Sequence, residues 1–530
     1  MYFFPSSPSS SPLPSRFPFL SRCLFVSVFL SIVGDCDGRL LLPQLGAREW
    51  KTYDAALKVR LTPLHSALSS DIISPSEAAR DFSSLLSGFL GENDVFKGDG
   101  GGGGRESRED LDISDEALSQ AKAEKKRLRR LVFGRGNRVD QDLRAQFYQA
   151  VKLVSHIGKE QDRRQRERDT RGQEKMFLKN FWSFSKRAVN GLIGKEQERP
   201  SFDKAFADEW FKRRYSVPVP LAPEAVSWFP RLPEGDKDFD MGPIRPRDIR
   251  SVLSKKRASS APGDDGILNG HLKNLESTHH FLATLFTKTL LSSPTPWEGW
   301  GASSIVLIHK AGDTGDPSNF RPIALTSCVG KVFHQILSDR ISGFLVANGF
   351  LDPETQKAFL RRLSGCQDHN LILGEVINDA KANKRTVHVT WFDLEDAFGS
   401  VSHDLIPVCL ERMHLPANVR TYISSLYGNL SGKVRTSDWV SEEFEFRKGV
   451  FQGDPLSPII FLICFNPLLE DLKTFGGSDG YCLNDIPYIT LPFADDFNLI
   501  TRDIRKHQKL MARLQDLTSS MGLRLKPRKC

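Results

Sequence analysis

FADDFNLI, from Phe493 to Ile500, sets Asp495 and Asp496 side by side in a stretch otherwise rich in Phe, Leu and Ile. About a hundred residues upstream, VTWFDLEDAF brings a strand-like run to an end on Asp393. Burying an unpaired carboxylate costs several kcal/mol, so such acids need a solvated turn, a basic partner or a bound cation. Carboxylates gathered at strand ends repel one another, and a divalent cation relieves that repulsion. Mg²⁺ suits the place because it takes one or two carboxylates and completes its shell with water and substrate phosphates. Two such ions about 4 Å apart activate an attacking hydroxyl and stabilise the leaving oxygen of an in-line phosphoryl displacement. The expectation is that Asp495 and Asp496 occupy a hairpin turn and are held there by metal; the bland alternative is an ordinary acidic surface turn.

The elements that must position these acids are legible from Pro243 onward, where strand-like and helix-like segments alternate under regular Pro/Gly punctuation. SSIVLIHK (Ser303 to Lys310) reads as a strand, AGDTGDPSNF as a turn, RPIALTS as a second extended piece and CVGKVFHQILSDRI as a helix. TVHVTWFDL (Thr386 to Leu394) is a strand ending in an acid, and SHDLIPVCLERM then begins a helix with Ser402 as its N-cap. KVRTSDWVSEEFEFRKGV suggests a hairpin, since Phe444 and Phe446 alternate with charge. SPIIFLICFNPLLEDLKTF opens a largely buried helix with Ser457 at the N-cap and Pro458 at the first helical position, and FGG closes it.

With 530 residues, 39% hydrophobic and 10% aromatic, the chain has ample material for globular cores and is not disordered as a whole. A net charge of +8 favours a polyanionic partner. Eight cysteines without CxxC spacing argue against structural zinc and a disulfide framework, and fit a reducing compartment. Residues 1–34 form a Ser/Pro-rich and hydrophobic leader. Its run CLFVSVFLSIVG (Cys23 to Gly34) has the length of a signal-peptide core and is too short to span a bilayer. Residues 35–97 carry no distinguishing pattern, and the glycine run in 98–110 reads as a flexible linker. Residues 111–215 are dense in Lys and Arg and read as basic helices with a sparse apolar face. They form either a solvated surface or an arm on nucleic-acid phosphates, with Phe181 and Trp182 available for packing or stacking.

The order of the blocks carries a resemblance. APGDDGI (Ala261 to Ile267) is followed by WGASSIVLIHKAGDTGDPSNFRPIALTSCVGKVF, FDLEDAFGSVSHDLI, GVFQGDPLSPIIF, FADDFNLI and GLRLKPRKC. Together they resemble the reverse transcriptase of non-long-terminal-repeat, LINE-type retrotransposons, over roughly the last 270 residues. The resemblance implies an α+β fold, a right-hand polymerase's fingers and palm over 243–530 with an antiparallel palm sheet packed on helices. A basic helical region and a disordered N-terminal part would precede it. It further implies that Asp393, Asp495 and Asp496 hold two Mg²⁺ ions, with Mn²⁺ able to substitute. Phe398 falls where the family packs an aromatic ring beneath the incoming sugar and excludes a 2′-hydroxyl. Gln452 and Gly453 would lie beside the nascent base pair, Lys310 and Arg321 would hold the triphosphate, and Lys529 would protonate departing pyrophosphate.

The pattern has departures. Asp396 stands where LINE-type enzymes usually have Lys, Gly399 replaces a usual Asp, Phe451 replaces an Arg and Asp264 replaces a Pro; none of these removes a metal-ligand acid. The chain stops at Cys530, directly after GLRLKPRKC, so fingers and palm are expected without the family's thumb, and processive synthesis is not expected. The resemblance implies RNA-directed DNA synthesis from dNTPs on an RNA template and DNA primer, in nucleus or cytoplasm, without a membrane partner. The signal-like leader alone points to secretion. The alternative is a catalytically silent retroelement remnant that only binds nucleic acid.

Overall fold

The computed structural model describes residues 47–92, a few helical positions between 120 and 150, and residues 199–222, 226–360 and 365–530. Residues 47–92 and 199–530 belong to one compact unit, and residues 99–198 form a second. In the second unit, the helical run 122–128 carries an Arg127–Glu124 pair at 2.7 Å, three residues apart on one face. The leader at 1–34, the glycine linker at 98–110 and most of the basic region lie outside the described residues.

The fold is α+β, with the fingers and palm of a right-hand polymerase. In the fingers, β1 (Ala302–His309) and β2 (Phe320–Leu325) form an antiparallel hairpin in which Ile308 faces Arg321. Its turn is fixed by two aspartates that accept from backbone amides two residues on: Asp313 from Gly315 at 2.9 Å, and Asp316 from Ser318 at 2.8 Å. β4 (Ser431–Val434) pairs parallel with the other edge of β1, and β5 (Phe444–Glu445) pairs antiparallel with β4, giving the order β2-β1-β4-β5. Phe444 and Phe446 are both buried.

The end of the stretch read as basic and helical, residues 199–215, packs on this sheet. Helix α3 (Lys204–Tyr215) lays Phe211 and Tyr215, one turn apart, against Phe444 and Phe446, with ring centroids 5.9 Å and 5.0 Å apart. Upstream, α1 (Ala47–Ser69) and α2 (Pro75–Glu92) form a helical pair. Ser74 and Glu77 make a reciprocal capping box at the start of α2. The pair docks on α6 (Ser277–Leu291) through a Phe82–Phe281 stack at 4.9 Å, with α4 (Pro246–Lys255) and α5 (Asn269–Asn274) alongside.

The palm sheet is β3 (His388–Phe392) antiparallel to β8 (Phe497–Thr501). α7 (Cys328–Ala347) and α8 (Gly365–Ala382) lie before it in sequence. After β3 come α9 (Ala397–Ser400), α10 (Leu405–Arg412), α11 (Ala417–Gly428) and α12 (Ser457–Gly476). Fifteen of the 20 residues of α12 are buried, as an all-round apolar sequence requires; each fully buried Leu, Ile or Phe there contributes roughly 1.5–3 kcal/mol. A short hairpin, β6 (Tyr481–Leu483) and β7 (Ile486–Tyr488), turns through Asn484 and Asp485, both at positive φ. α13 (Ile504–Ser520) then packs back on β8 and α12.

Two expected caps differ from the structure. α10 begins at Leu405 with Asp404 as its N-cap, and Ser402 lies outside the helix, its hydroxyl donating to Val219 O at 2.5 Å. In α12, Leu456 is the N-cap and Ser457 is already inside the first turn. Among the described residues, Cys328, Cys409, Cys464, Cys482 and Cys530 are free thiols. No described helix is long and apolar enough to cross a membrane.

Candidate active site

Phe493 and Asp496 close the FADD turn by exchanging backbone hydrogen bonds, at 2.7 Å from the Phe493 amide and 3.2 Å from the Asp496 amide. Ala494 at the tip has φ +58°, a left-handed conformation that an alanine adopts only when its surroundings enforce it. Gln356 supplies that enforcement. Its buried carboxamide accepts from the Ala494 amide at 2.9 Å and donates to the Ala494 carbonyl at 3.4 Å. Asp495 and Asp496 follow, both half-buried.

The register of the palm sheet pairs Phe392 with Phe497. Asp393 directly follows the last residue of β3 and Asp496 directly precedes the first residue of β8, so the two acids stand at adjoining strand ends. Asp393 is flanked on its other side by 524–526. Lys526 N donates to Asp393 O at 2.8 Å, Glu395 N donates to Arg524 O at 2.8 Å, and Leu394 bridges Leu525. This return carries Lys529 to the site, its ammonium 3.6 Å from the Asp393 carboxylate, which is only 8% exposed as a residue. A cation thus stands against the buried acid, as the electrostatics of an inward carboxylate demand.

The acids fit a divalent ion in donor type, being hard carboxylate oxygens at adjoining strand ends. Among the described residues no group of three or more His, Cys, Asp or Glu side chains is arranged to hold a metal by itself. An ion here would therefore take one or two protein carboxylates and draw its remaining ligands from water and phosphate.

The basic residues come from the fingers and from the 524–529 return. Lys310 directly follows β1, with its ammonium donating to Ser318 O at 3.2 Å, and Arg321 lies on β2. Loss of solvent holds the Lys310 ammonium below its ordinary value; the positive charges of Arg321, Lys526 and Lys529 add to this, and Asp396 opposes it. So many cations around one another make the region receptive to a polyanion.

Between fingers and palm lies the QGD block. The Ala324 amide donates to Gln452 O at 2.8 Å, tying β2 to the block, and Gln452 is half-exposed. Gly453 has φ +123°, and a Cβ there would lie 2.7 Å from Ala324 O. Gly453→Ala is accordingly expected to cost about 1–3 kcal/mol, the scale of strained backbone positions, and a lowered urea midpoint measures it. Phe398 in α9 stacks on Phe461 at 4.9 Å and 10°, meets Phe359 edge-on at 6.0 Å, and stays half-buried.

Beneath the block is a network that the sequence did not disclose. His334 Nδ1 lies 2.6 Å from Asp454 and His334 Nε2 lies 2.9 Å from the Tyr422 hydroxyl, all three groups being buried. Burial pushes the Asp454 carboxyl upward, but the His334 imidazole and the Leu456 amide outweigh it and hold the group below its ordinary value. Gln356 was likewise missed, because its contacts reach across 138 residues and leave no local pattern.

A family model described as "Reverse transcriptase (RNA-dependent DNA polymerase)" matches residues 308–530. The chain is 29% identical over 288 residues to the "Retrovirus-related Pol polyprotein from type-1 retrotransposable element R2" of Nasonia vitripennis, a match covering 54% of this chain and 27% of that protein. It is 30% identical over 259 residues to the like-named polyprotein of Popillia japonica, covering 49% of this chain and 35% of the relative. With the "Probable RNA-directed DNA polymerase from transposon X-element" of Drosophila melanogaster it shares 28% identity over 279 residues, 51% of this chain and 28% of that one. The chain thus spans about a quarter to a third of the length of these curated relatives. Residues 308–530, which hold the palm register and the FADD turn, thus match the reverse transcriptase family model, and the chain is similar to the polyproteins and polymerases of these retrotransposable elements.

Proposed function

We propose that this chain is an RNA-directed DNA polymerase that extends a DNA primer on an RNA template. The observation that carries this reading is the β3–β8 register, which brings Asp393 and Asp496 to neighbouring strand ends beside the FADD turn. Asp393, Asp495 and Asp496 would hold two Mg²⁺ ions. When bound, these supply a lowered pKa for the primer 3′-hydroxyl and neutralise charge on the phosphates. In the reaction the 3′-oxygen loses its proton and forms a bond to the α-phosphorus of a deoxynucleotide. The bond from that phosphorus to the bridging oxygen breaks, and pyrophosphate leaves with the electron pair.

The chain's own residues bind and orient. Lys310 and Arg321 hold the triphosphate, and the Gln452–Gly453 backbone approaches the nascent pair. The Lys529 ammonium is the group placed to give a proton to pyrophosphate. Primer extension on an RNA template tests the reading directly: Mg²⁺-dependent addition of deoxynucleotides is expected, and salt-sensitive binding without any extension would select a nucleic-acid-binding remnant instead.

Phe398 is assigned to sugar selection. Its ring is anchored face to face on Phe461, so it presents a fixed edge to whatever lies above it. Phe398→Ala is expected to raise ribonucleotide incorporation relative to deoxynucleotide by roughly 10- to 100-fold, read as the ratio of the two kcat/KM values. An unchanged ratio would return the ring to an ordinary core role.

A further inference from the structure

Asp396 lies on the loop between Asp393 and Phe398 in a left-handed conformation, φ +48°. Its carboxylate folds back over that loop: a Cβ added to Gly399 would lie 2.7 Å from Asp396 Cγ, so the space exists because residue 399 has no side chain. The loop is pinned from beneath by the Gly449 amide on Val401 O at 2.7 Å and the Val450 amide on Phe398 O at 2.8 Å. On its other side the partner is Arg214 of α3, whose guanidinium donates to Asp396 Oδ2 at 3.0 Å, with the Tyr215 hydroxyl donating to the same oxygen at 3.4 Å. The two side chains are 31% and 22% exposed, sheltered enough for their charges to act strongly on one another.

Arg214 arrives on an independently fixed element. Arg447 N donates to Tyr215 O at 2.9 Å, the Ser216 hydroxyl donates to Glu445 O at 2.6 Å, and Lys204 pairs with Glu442 at 2.8 Å. Asp396 is also the carboxylate whose charge bears most on Lys310.

We propose that Arg214, which precedes the matched region, is a positioning residue of the nucleotide site: its ion pair with Asp396 steadies the segment that leads into α9 and carries Phe398. The proposal deepens the polymerase reading and rests on it. A double-mutant cycle on the full chain tests it, with deoxynucleotide affinity and steady-state primer extension measured separately. Arg214→Ala is expected to raise both the deoxynucleotide KM and its dissociation constant about tenfold, with kcat changed less than about threefold. In an Asp396→Asn background the same substitution should move either constant less than about twofold, because the ion pair is already broken there. Arg214→Lys, which keeps the charge, should recover most of the affinity.

An equal effect of Arg214→Ala in both backgrounds would overturn the proposal and leave Arg214 as a packing residue of α3. Should the chain bind deoxynucleotide yet extend no primer, the polymerase reading fails while the affinity cycle still decides the role of Arg214. A chain that binds no deoxynucleotide defeats both.

Discussion

Asp393→Ala is expected to lower kcat for primer extension by about a thousandfold or more while the protein stays folded. The charge stabilisation that a bound cation supplies to a transferring phosphoryl group amounts to several kcal/mol, and each 1.4 kcal/mol is a factor of ten. Asp393 is the buried member of the acid group, and its backbone is held by the 524–526 segment through the Lys526 amide. Its removal also leaves the Lys529 ammonium without the carboxylate now 3.6 Å away. Because that lysine is substantially exposed, water can solvate it, and the loss in stability should be small. The measurement pairs kcat with a thermal melt. A variant that melts like the parent and still extends primers at the parental rate would remove Asp393 from the chemistry.

The largest effect on stability is expected at His334. Leaving a buried acceptor without its hydrogen-bond partner costs about 1–3 kcal/mol, and more when the acceptor is a carboxylate. His334→Ala does this to Asp454, and it also removes the acceptor or donor that faces Tyr422. The pH dependence gives a second readout with a definite sign. In the parent the Asp454 carboxyl lies below its ordinary value. Such a group contributes stability that is complete above the unfolded value, about 4, and is lost as pH falls through the lower folded value. Without His334, burial becomes the dominant influence and raises the folded value above the unfolded one. The contribution then reverses: it is present at low pH and lost as pH rises through the folded value. Urea midpoints measured from pH 3 upward should therefore diverge between parent and variant as pH increases, and parallel curves would contradict the assignment.

The β1–β2 hairpin, β3 and the buried helix α12 were legible because each rests on a local signal. These are an apolar run bounded by turn residues, a strand closed by an acid, and an apolar stretch opened by proline. The FADD turn was legible as well, since two acids within an apolar strand leave few alternatives. What escaped was whatever depends on contacts between distant residues. Gln356 clamps Ala494, His334 meets Asp454 across 120 residues, and Arg214 meets Asp396 across 182; none of these glutamine, histidine or arginine residues looks unusual in its own neighbourhood. The contact of the Ser402 hydroxyl with Val219 O, 183 residues away, was equally hidden. The helical pair α1–α2 was different. The capping box of Ser74 and Glu77 is a local signal lying in plain view before an apolar helix. The two departures at Asp396 and Gly399 looked unrelated along the chain, yet in space the absent side chain of one makes room for the carboxylate of the other.

The backbone around Asp393 is bordered by β8 on one side and by 524–526 on the other, both more than a hundred residues later in the chain. A ribosome adding roughly 5–20 residues per second needs about 5–20 s to make that intervening length. During that interval β1, β2 and β3 already exist while both borders of Asp393 are still unmade. Long-range pairings of this kind also close slowly. The acids of the candidate site can therefore meet only after nearly the whole chain has been made.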